Sequence, residues 1–489
     1  MYQYLLFVIL VLVLTILYKI HRATTFWRNA GIPYEPYLQY LHSYFVRYKQ
    51  EDVYTILEEY NRKYGLVYGT YQGLTPALRV STLEGCKDLL TSNFMNAHKR
   101  SIEVKTGAKL WDNSLFSLDY KTWKTVRKLT TPGFTPAKLR FMVPKMQRNS
   151  ERMSQKLSKI AASENNIINP VKYAQGFAID EIAALAYGLE LDAMEDPKNP
   201  FVVSGQGVFA PCLGLTLLLS VPWLLKYVPV HYPQKHVMKF LTEFSTSVIK
   251  SRRQRQFPSN EIDILGLWLE EQKTNPEFTD DLVAAQTFTF FTAGFETTAM
   301  TLSFTLYMLA LHPEAQDRAY RNILENVSDI DNITYDDYSR MKFVEACFTE
   351  TLRLYPTDYI VDRITQAPCT IADVKVEAGM AVQIPIPAMH RDSRYFPEPL
   401  KYRPERFLNE DCQAFMTFGD GPKGCIGRRL ALLQLTVLLT AVLTKVRLEP
   451  RPDDKNADIK ELPIKLNPGM PYLATSKDSI DICVLPRGK

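Results

Sequence analysis

One ten-residue segment near the C-terminal end constrains the fold of this chain more than any other. It reads Phe418-Gly-Asp-Gly-Pro-Lys-Gly-Cys-Ile-Gly427, and an apolar helical pattern follows it as far as Leu443. Its glycines allow tight turns and let a flat ligand approach the backbone. Cys425 stands where a helix begins, and unpaired N–H groups and the helix dipole there favour thiolate over thiol. The pattern predicts a thiolate presented to a metal or an electrophile, with a buried structural cysteine as the alternative.

The N-terminal segment is apolar over Leu5–Tyr18. With its flanks it reaches about the 20 residues that a membrane-spanning helix needs. A cleaved signal peptide is the alternative, but no basic stretch precedes the segment and no small-x-small site follows it. Basic residues after the segment place the rest of the chain in the cytosol. We therefore predict a signal-anchor helix over residues 1–22, a linker over 23–40 and one domain over 41–489.

Hydrophobic periodicity predicts a mainly helical chain with a minor sheet. Two strands are expected over 67–71 and 77–81, and residues 364–387 should form the larger part of the sheet. Seven dispersed cysteines without a CxxC or zinc-type spacing indicate a reducing compartment. The net charge of +5 is too small for a nucleic-acid-binding protein and is compatible with a membrane or an acidic partner.

The longest helical pattern runs from Thr279 to His312, with Thr279 as its N-cap. In its middle, Gly294 and two adjacent threonines weaken the helix. The Thr297 hydroxyl can bond the carbonyl oxygen of Ala293 and bend the helix. Such an opening admits water and often marks a functional site. A packing irregularity is the alternative.

Two short-range pairs are also candidates for function. Trp123 and Arg127 lie four residues apart on one helix face and could together hold a carboxylate. An ordinary surface helix with a half-buried tryptophan is the alternative. Glu350 and Arg353 lie three apart, and their apolar flanks favour a buried ion pair over a surface one. Such a pair is fragile, because removing one partner strands the other charge.

These motifs resemble, in order and spacing, those of the cytochrome P450 family. The family's haem-binding loop, Phe-x-x-Gly-x-x-x-Cys-x-Gly, is matched by Phe418, Gly421, Cys425 and Gly427. Lys423 stands where Arg is commoner, and an ammonium there would hold a haem propionate less rigidly than a guanidinium. The resemblance implies that Cys425 is the axial ligand of the haem iron.

The resemblance assigns further roles. Residues 293–298 match the oxygen-activation motif, in which Gly294 would let haem and oxygen come close while Glu296 and Thr297 order a proton-delivering water chain. Further residues match the propionate clamps: Trp123, Arg127 and Arg363. A structural network would join Glu350, Arg353 and, from Pro404–Phe407, Arg406. His390 is as compatible with a structural role as with a ligand-facing one.

The implied fold is mainly α with a small β subdomain, a cytochrome P450 fold preceded by one N-terminal membrane-anchor helix. The implied cofactor is haem b with an axial cysteine thiolate. The implied function is insertion of one atom of O2 into a small apolar substrate. NADPH-cytochrome P450 reductase would supply electrons, with cytochrome b5 as a further partner, and no nucleic acid is involved. The enzyme would lie on the cytosolic face of the endoplasmic reticulum membrane, and it looks most like animal microsomal members, including the insect detoxification type.

The substrate stays open between xenobiotics, such as insecticides and plant toxins, and endogenous hormones, sterols or fatty acids. By resemblance, the pocket would be lined by residues 99–122, 200–235, 357–361 and 467–471. Five basic residues are candidates for reductase docking: Lys121, Lys124, Lys128, Lys423 and Arg428. Three rival functions remain, namely a haem-thiolate isomerase or dehydratase, a non-catalytic haem-binding protein and a membrane-anchored scaffold without haem.

Overall fold

The computed structural model describes residues 2–103, 105–196, 198–210, 233–254, 263–330, 332–455, 461–468, 473–476 and 478–488. Within these ranges the chain is mainly helical with small sheets, as the sequence predicts. The helices are α1 (Tyr2–Ala30), α2 (Tyr37–His42), α3 (Tyr48–Gln50), α4 (Val53–Tyr64), α5 (Leu83–Lys87), α6 (Lys109–Asp112), α7 (Tyr120–Thr130), α8 (Pro136–Ala161), α9 (Pro170–Tyr187), α10 (Pro200–Phe209), α11 (Lys235–Gln254), α12 (Ile264–Thr274), α13 (Asp280–Leu311), α14 (Pro313–Asn326), α15 (Tyr335–Arg340), α16 (Lys342–Leu354), α17 (Ile386–His390), α18 (Arg406–Asn409) and α19 (Arg428–Leu443). Short π-helical turns cover Ser43–Arg47 and Asp88–Ser92, and a 3-10 turn covers Thr131–Phe134.

The strands form four small sheets in the described part of the chain. They are β1 (Val67–Gln72), β2 (Thr75–Val80), β3 (Ile167–Ile168), β4 (Ile360–Ile364), β5 (Cys369–Ile371), β6 (Val374–Val376), β7 (Ala381–Pro385), β8 (Val446–Pro450), β9 (Leu466–Pro468), β10 (Ala474–Ser476) and β11 (Ile482–Pro486). The largest sheet has the order β1-β2-β7-β4, with β2 and β7 parallel and the other neighbours antiparallel. The two strands predicted around residue 70 are therefore present. The expectation that residues 364–387 form the larger part of the sheet is wrong, because β5 and β6 pair with each other in a separate sheet and only β7 of this stretch joins the largest one.

Helix α13 forms the centre of the core. Most of its side chains are buried, because apolar residues occur around its whole circumference. The Thr279 hydroxyl caps it by accepting the N–H of Leu282 at 3.4 Å. Helix α9 packs along it closely, since a Cβ at Gly294 would lie 3.0 Å from Cγ1 of Ile182. The glycine that weakens the helix thus also allows this close packing.

The N-terminal part of helix α1 is a candidate membrane span, and its C-terminal part packs against the rest of the protein. Among the described residues it is the helix long and apolar enough to cross a membrane. It continues past residue 22 to Ala30, so the first part of the predicted linker is helical. Trp27 is fully buried, and its Nε1–H donates to the carbonyl oxygen of Thr70 at 2.9 Å. Residues 23–30 thus belong to the packed domain because they bury a large indole on strand β1.

A buried ion network joins α16 to the segment before the cysteine loop. Arg353 Nε lies 2.7 Å from Glu350 Oε2, and Arg406 Nε lies 3.1 Å from Glu350 Oε1, with all three side chains fully buried. Each guanidinium also donates to backbone carbonyls, which satisfies its remaining N–H groups. The three predicted network residues therefore meet in the core.

His390 extends this network toward the cysteine loop. Its Nδ1 lies 3.1 Å from the carbonyl oxygen of Arg353, and its Nε2 accepts the backbone N–H of Met416 at 2.9 Å. Burial lowers the pKa of His390 to about 3, so the ring is neutral at physiological pH. Of the structural and ligand-facing roles left open for His390, these contacts favour the structural one.

Candidate functional site

A cavity of about 410 Å³ lies between α13 and the cysteine loop. Most of the residues singled out from the sequence line it, although they come from four separate parts of the chain. These are Trp123, Arg127, Gly294, Thr297, Arg363, Phe418, Lys423, Cys425 and Gly427. The others lie outside its lining: Glu296, Gly421, Glu350, Arg353 and Arg406. The fold therefore assembles one site from motifs that are distant in sequence.

The loop presents the Cys425 thiol to this cavity. Its backbone N–H donates to the Phe418 carbonyl oxygen at 2.8 Å, and Arg127 Nη2 donates to the Gly424 carbonyl oxygen at 2.8 Å. Helix α19 begins three residues later, at Arg428, with a largely buried apolar face that anchors the loop. The thiol is exposed only where the cavity opens beside it.

The charge state of Cys425 differs from the expectation based on the helix dipole alone. Burial raises the pKa of the thiol, while the Gly427 N–H and the Arg127 guanidinium oppose that shift only in part. The protein by itself therefore favours the thiol. A bound metal cation would reverse this preference, because a coordinating thiol loses its proton.

Three guanidinium groups surround one side of the cavity: Arg100, Arg127 and Arg363. Burial and the nearby Arg100 lower the pKa of Arg363 to about 10, and burial also lowers the pKa of Arg127. Arg363 Nη1 donates to the carbonyl oxygen of Asp362 at 2.7 Å, but its Nε has no hydrogen-bond partner among the described residues. Such a crowded set of cations suits a ligand with carboxylate groups.

Arg100 lies within the predicted pocket range 99–122, but the sequence interpretation did not single it out. The N–H of Ile364 donates to the carbonyl oxygen of Lys99 at 2.6 Å, and this contact sets Arg100 beside Arg363. Its Nη2 also donates to the carbonyl oxygen of Lys423 at 2.8 Å. The two arginines are far apart in sequence, so only the tertiary fold could reveal the pair.

Lys423 lies in the expected place but already has a partner. It is buried, its Nζ forms an ion pair with the buried carboxylate of Glu103, and it lies 5.1 Å from the ring centroid of Trp123. Burial lowers the pKa of Lys423 to about 8. Its ammonium is therefore neutralised by the protein, and a buried lysine cannot serve as an exposed docking charge. Glu103 carried no sequence signal that would have predicted this pair.

On the opposite wall, α13 carries Thr297, and the acid Glu296 precedes it in the chain but lies outside the cavity lining. The Thr297 hydroxyl donates to the Ala293 carbonyl oxygen at 2.6 Å, as the sequence predicts. Glu296 is buried, and its Oε2 has no partner within the described part of the chain. Burial raises the pKa of Glu296 to about 7, while a hydrogen bond from Gln175 opposes the shift. An acid that titrates near neutral pH can take up and release protons.

The structure gives reasons for glycine at two of these positions other than the expected contact with a porphyrin. Gly421 has φ of +67°, and a Cβ there would collide with the carbonyl oxygen of Leu90. At Gly294 the added carbon would meet Ile182 rather than the cavity centre. Gly427 is different, because its N–H hydrogen-bonds to Cys425. Two of the three glycines are therefore explained by backbone conformation and packing.

Some predicted pocket segments lie outside the described residues, namely 211–232 within the range 200–235 and 469–472 at the predicted tip. Leu473 beside that tip does line the cavity. Asp358 also lines it, within the predicted range 357–361, although its acidic character was not singled out from the sequence.

Comparisons with known proteins place these features in a family. The family model described as "Cytochrome P450" matches residues 33–474. Probable cytochrome P450 6d5 of Drosophila melanogaster is 30% identical over 442 residues, which cover 84% of this chain and 87% of the relative. Cytochrome P450 6j1 of Blattella germanica is 30% identical, with 88% of each chain covered. Cytochrome P450 3A31 of Mesocricetus auratus is 29% identical, covering 91% of this chain and 90% of the relative.

Proposed function

Because the chain belongs to the cytochrome P450 family and is a haem-thiolate monooxygenase, we propose that it oxidises small apolar molecules with electrons from a separate NADPH-cytochrome P450 reductase. Xenobiotics such as insecticides and plant toxins are the favoured substrates, ahead of hormones, sterols and fatty acids. The observation that carries the proposal is the cavity itself. It brings an accessible thiol, three guanidinium groups and the Thr297 segment of α13 around one space.

The residues at this cavity fit a haem. The Cys425 thiol is the soft ligand that the iron would need, and its raised pKa would be offset by the metal's charge. Arg100, Arg127 and Arg363 would bind the propionates, and the unpartnered Nε of Arg363 would gain an acceptor. Trp123 would pack beside them. Lys423 would act less directly, since Glu103 holds its ammonium.

When bound, the haem supplies oxygen activation, which an axial thiolate promotes by donating electron density. The protein's own contribution is orientation and proton delivery. Thr297 bonds its hydroxyl hydrogen to the helix carbonyl of Ala293, so the lone pairs of its oxygen are available to water in the cavity. Burial raises the pKa of Glu296, the preceding residue, to about 7, so this acid can both hold and release a proton near neutral pH. The pair would therefore pass protons from Glu296 through water toward the cavity.

The same proposal covers the cellular setting. Helix α1 would anchor one domain, beginning within α1 itself, to the endoplasmic reticulum membrane with its bulk in the cytosol. Exposed cations lie on α7 and at the start of α19, near the Arg127 contact with the cysteine loop: Lys121, Lys124, Lys128 and Arg428. They would dock the acidic reductase, and cytochrome b5 would use the same surface.

A reconstituted system tests this function. The full chain with added NADPH-dependent reductase should consume NADPH faster when an oxidisable apolar compound is present, and oxygenated product should accumulate. Thr297→Ala should keep NADPH consumption but lower the product formed per NADPH, with peroxide released instead, because protons are delivered less accurately. NADPH consumption that never responds to any compound would favour a non-catalytic haem protein. Rearrangement of an organic peroxide without NADPH would favour an isomerase.

A further inference from the structure

Asp358 places an acidic group on the wall of a largely apolar cavity. It lies between the end of α16 and the start of β4, where its backbone bridges to Leu473. Its side chain is exposed, and the space to which it is exposed is the cavity. The neighbouring lining residues Ile360, Val361 and Leu473 are apolar. The backbone bridge thus fixes Asp358 in the wall, and its carboxyl group faces the cavity.

The charge of Asp358 is not neutralised within the described part of the chain. No Lys, Arg or His side chain there lies within ion-pair distance of its carboxyl group. Arg100 is the cation whose field acts on it, but Arg100 donates its hydrogen bond to the backbone of Lys423. Asp362 is also acidic and therefore supplies no positive charge to Asp358. Its Oδ2 accepts the N–H of Ser101.

Asp358 and Cys425 line the same cavity, so the carboxyl group shares this space with the thiol. Burial raises the pKa of Asp358 to about 6, which still leaves it mainly a carboxylate at slightly alkaline pH. A haem would bring two carboxylates to the three arginines. Asp358 forms no ion pair with any of these arginines in the described part of the chain, so its carboxylate stays available to a cation in the cavity.

Resting on the proposed function, we propose that Asp358 selects substrates in which an apolar body carries a protonated amine. The apolar walls would bury the hydrocarbon part of such a molecule. The ammonium would pair with Asp358 in a largely desolvated space, where a charge-assisted hydrogen bond is strong. A neutral molecule of the same shape would instead leave the carboxylate buried without a partner, which disfavours its binding.

Two isosteric probes separate charge from shape. N,N-dimethyl-3-phenylpropylamine is a tertiary amine that is protonated near neutral pH, and (4-methylpentyl)benzene has a CH group in place of its nitrogen. Equilibrium dialysis of the full-length protein with bound haem measures both affinities without relying on the iron. The CO-difference spectrum of the same preparations reports separately on the haem-thiolate centre, so failure of the proposed function is distinguished from failure of this inference.

The variants separate the charge of the cavity wall from its polarity. We expect wild-type protein to bind the amine more tightly than the hydrocarbon, by about tenfold or more. Asp358→Asn should abolish this preference, and Asp358→Glu should keep most of it. Thr357→Val, a change of polarity in the same lining without a change of charge, should leave the ratio of the two affinities as in wild type.

Two results would overturn the inference. One is an amine-to-hydrocarbon affinity ratio that is the same in wild type and in Asp358→Asn, or in Asp358→Ala if the asparagine variant does not fold. The other is an absorbance shift that shows the amine nitrogen bound to the iron, because the amine would then be held by the metal and not by the carboxylate.

Discussion

Glu296 is the residue to which we assign proton delivery. Its carboxyl group is buried, with one oxygen unpartnered among the described residues and a hydrogen bond from Gln175 on α9. Its pKa is raised to about 7 from an ordinary value of 4.5 because burial disfavours the charged form. Glu296 therefore changes charge near physiological pH.

This shift in pKa predicts that coupling, which is the amount of product formed per NADPH consumed, depends on pH. Below about pH 7 Glu296 is protonated and can supply protons; as the pH rises through about 7 it loses that proton, so product formed per NADPH should fall in wild type. Glu296→Gln should form product more slowly, by on the order of 10²-fold at acidic pH, and should lack this pH dependence. Gln175→Leu should move the midpoint to higher pH, because it removes a hydrogen bond that favours the charged form. An unchanged pH profile in Glu296→Gln would remove Glu296 from the proton path.

The motif residues around the cavity could be predicted from the sequence because each belongs to a short, fixed spacing. Cys425 with its glycines and Thr297 with Gly294 are of this kind. Arg100, Glu103 and Asp358 could not be predicted, since their roles depend on contacts with residues far away in the chain. The state of Lys423 was also unpredictable, because nothing near it in sequence indicates its pairing with Glu103.

At the scale of elements, α16 carries the contacts that support the cysteine loop. Its buried Glu350 binds Arg353 and Arg406, and the carbonyl oxygen of Arg353 meets His390, which in turn accepts the N–H of Met416 just before the loop. The spacing of Glu350 and Arg353 and the apolar flanks were visible in the sequence. The bridging role of His390 was not, because an isolated histidine carries no spacing signal.

This network predicts that substitution of Glu350 lowers the free energy of unfolding more than substitution of Glu405 does. Glu350→Gln should lower the free energy of unfolding by about 3–5 kcal/mol, because two fully buried guanidinium groups lose their counter-charge. Glu405→Gln removes a half-exposed partner of Arg318 and should cost less than about 1 kcal/mol. Urea unfolding measures both values. Equal costs for the two substitutions would show that the buried pair is not a main support of the fold.

At the scale of the whole molecule, α1 is both an anchor candidate and part of the domain. The apolar run predicted the helix and its position. Its docking could not be predicted, because the contact of Trp27 with β1 depends on the tertiary arrangement. We therefore propose that the boundary of the domain lies within the helix and not in a linker after it.

Two truncations test this boundary. Removal of residues 2–22 should release the protein from membranes while keeping the fold, because the side chains described there are largely exposed. Removal of residues 2–30 should also lower the free energy of unfolding by about 3–5 kcal/mol, the usual effect of losing a buried tryptophan. Trp27→Ala in the full chain should reproduce that loss. Equal stability of the two truncated proteins would contradict the docked half of α1.

The absorbance of the reduced, CO-bound protein tests the central claim most directly, which is that Cys425 binds the iron of a haem in the cavity. The purified full chain should show the Soret band typical of a thiolate ligand. Cys425→Ser should lose that band, while Cys412→Ser, a change at a half-buried cysteine outside the cavity, should keep it. A thiolate band that persists in Cys425→Ser, or that is missing from the wild-type protein loaded with haem, would contradict the account.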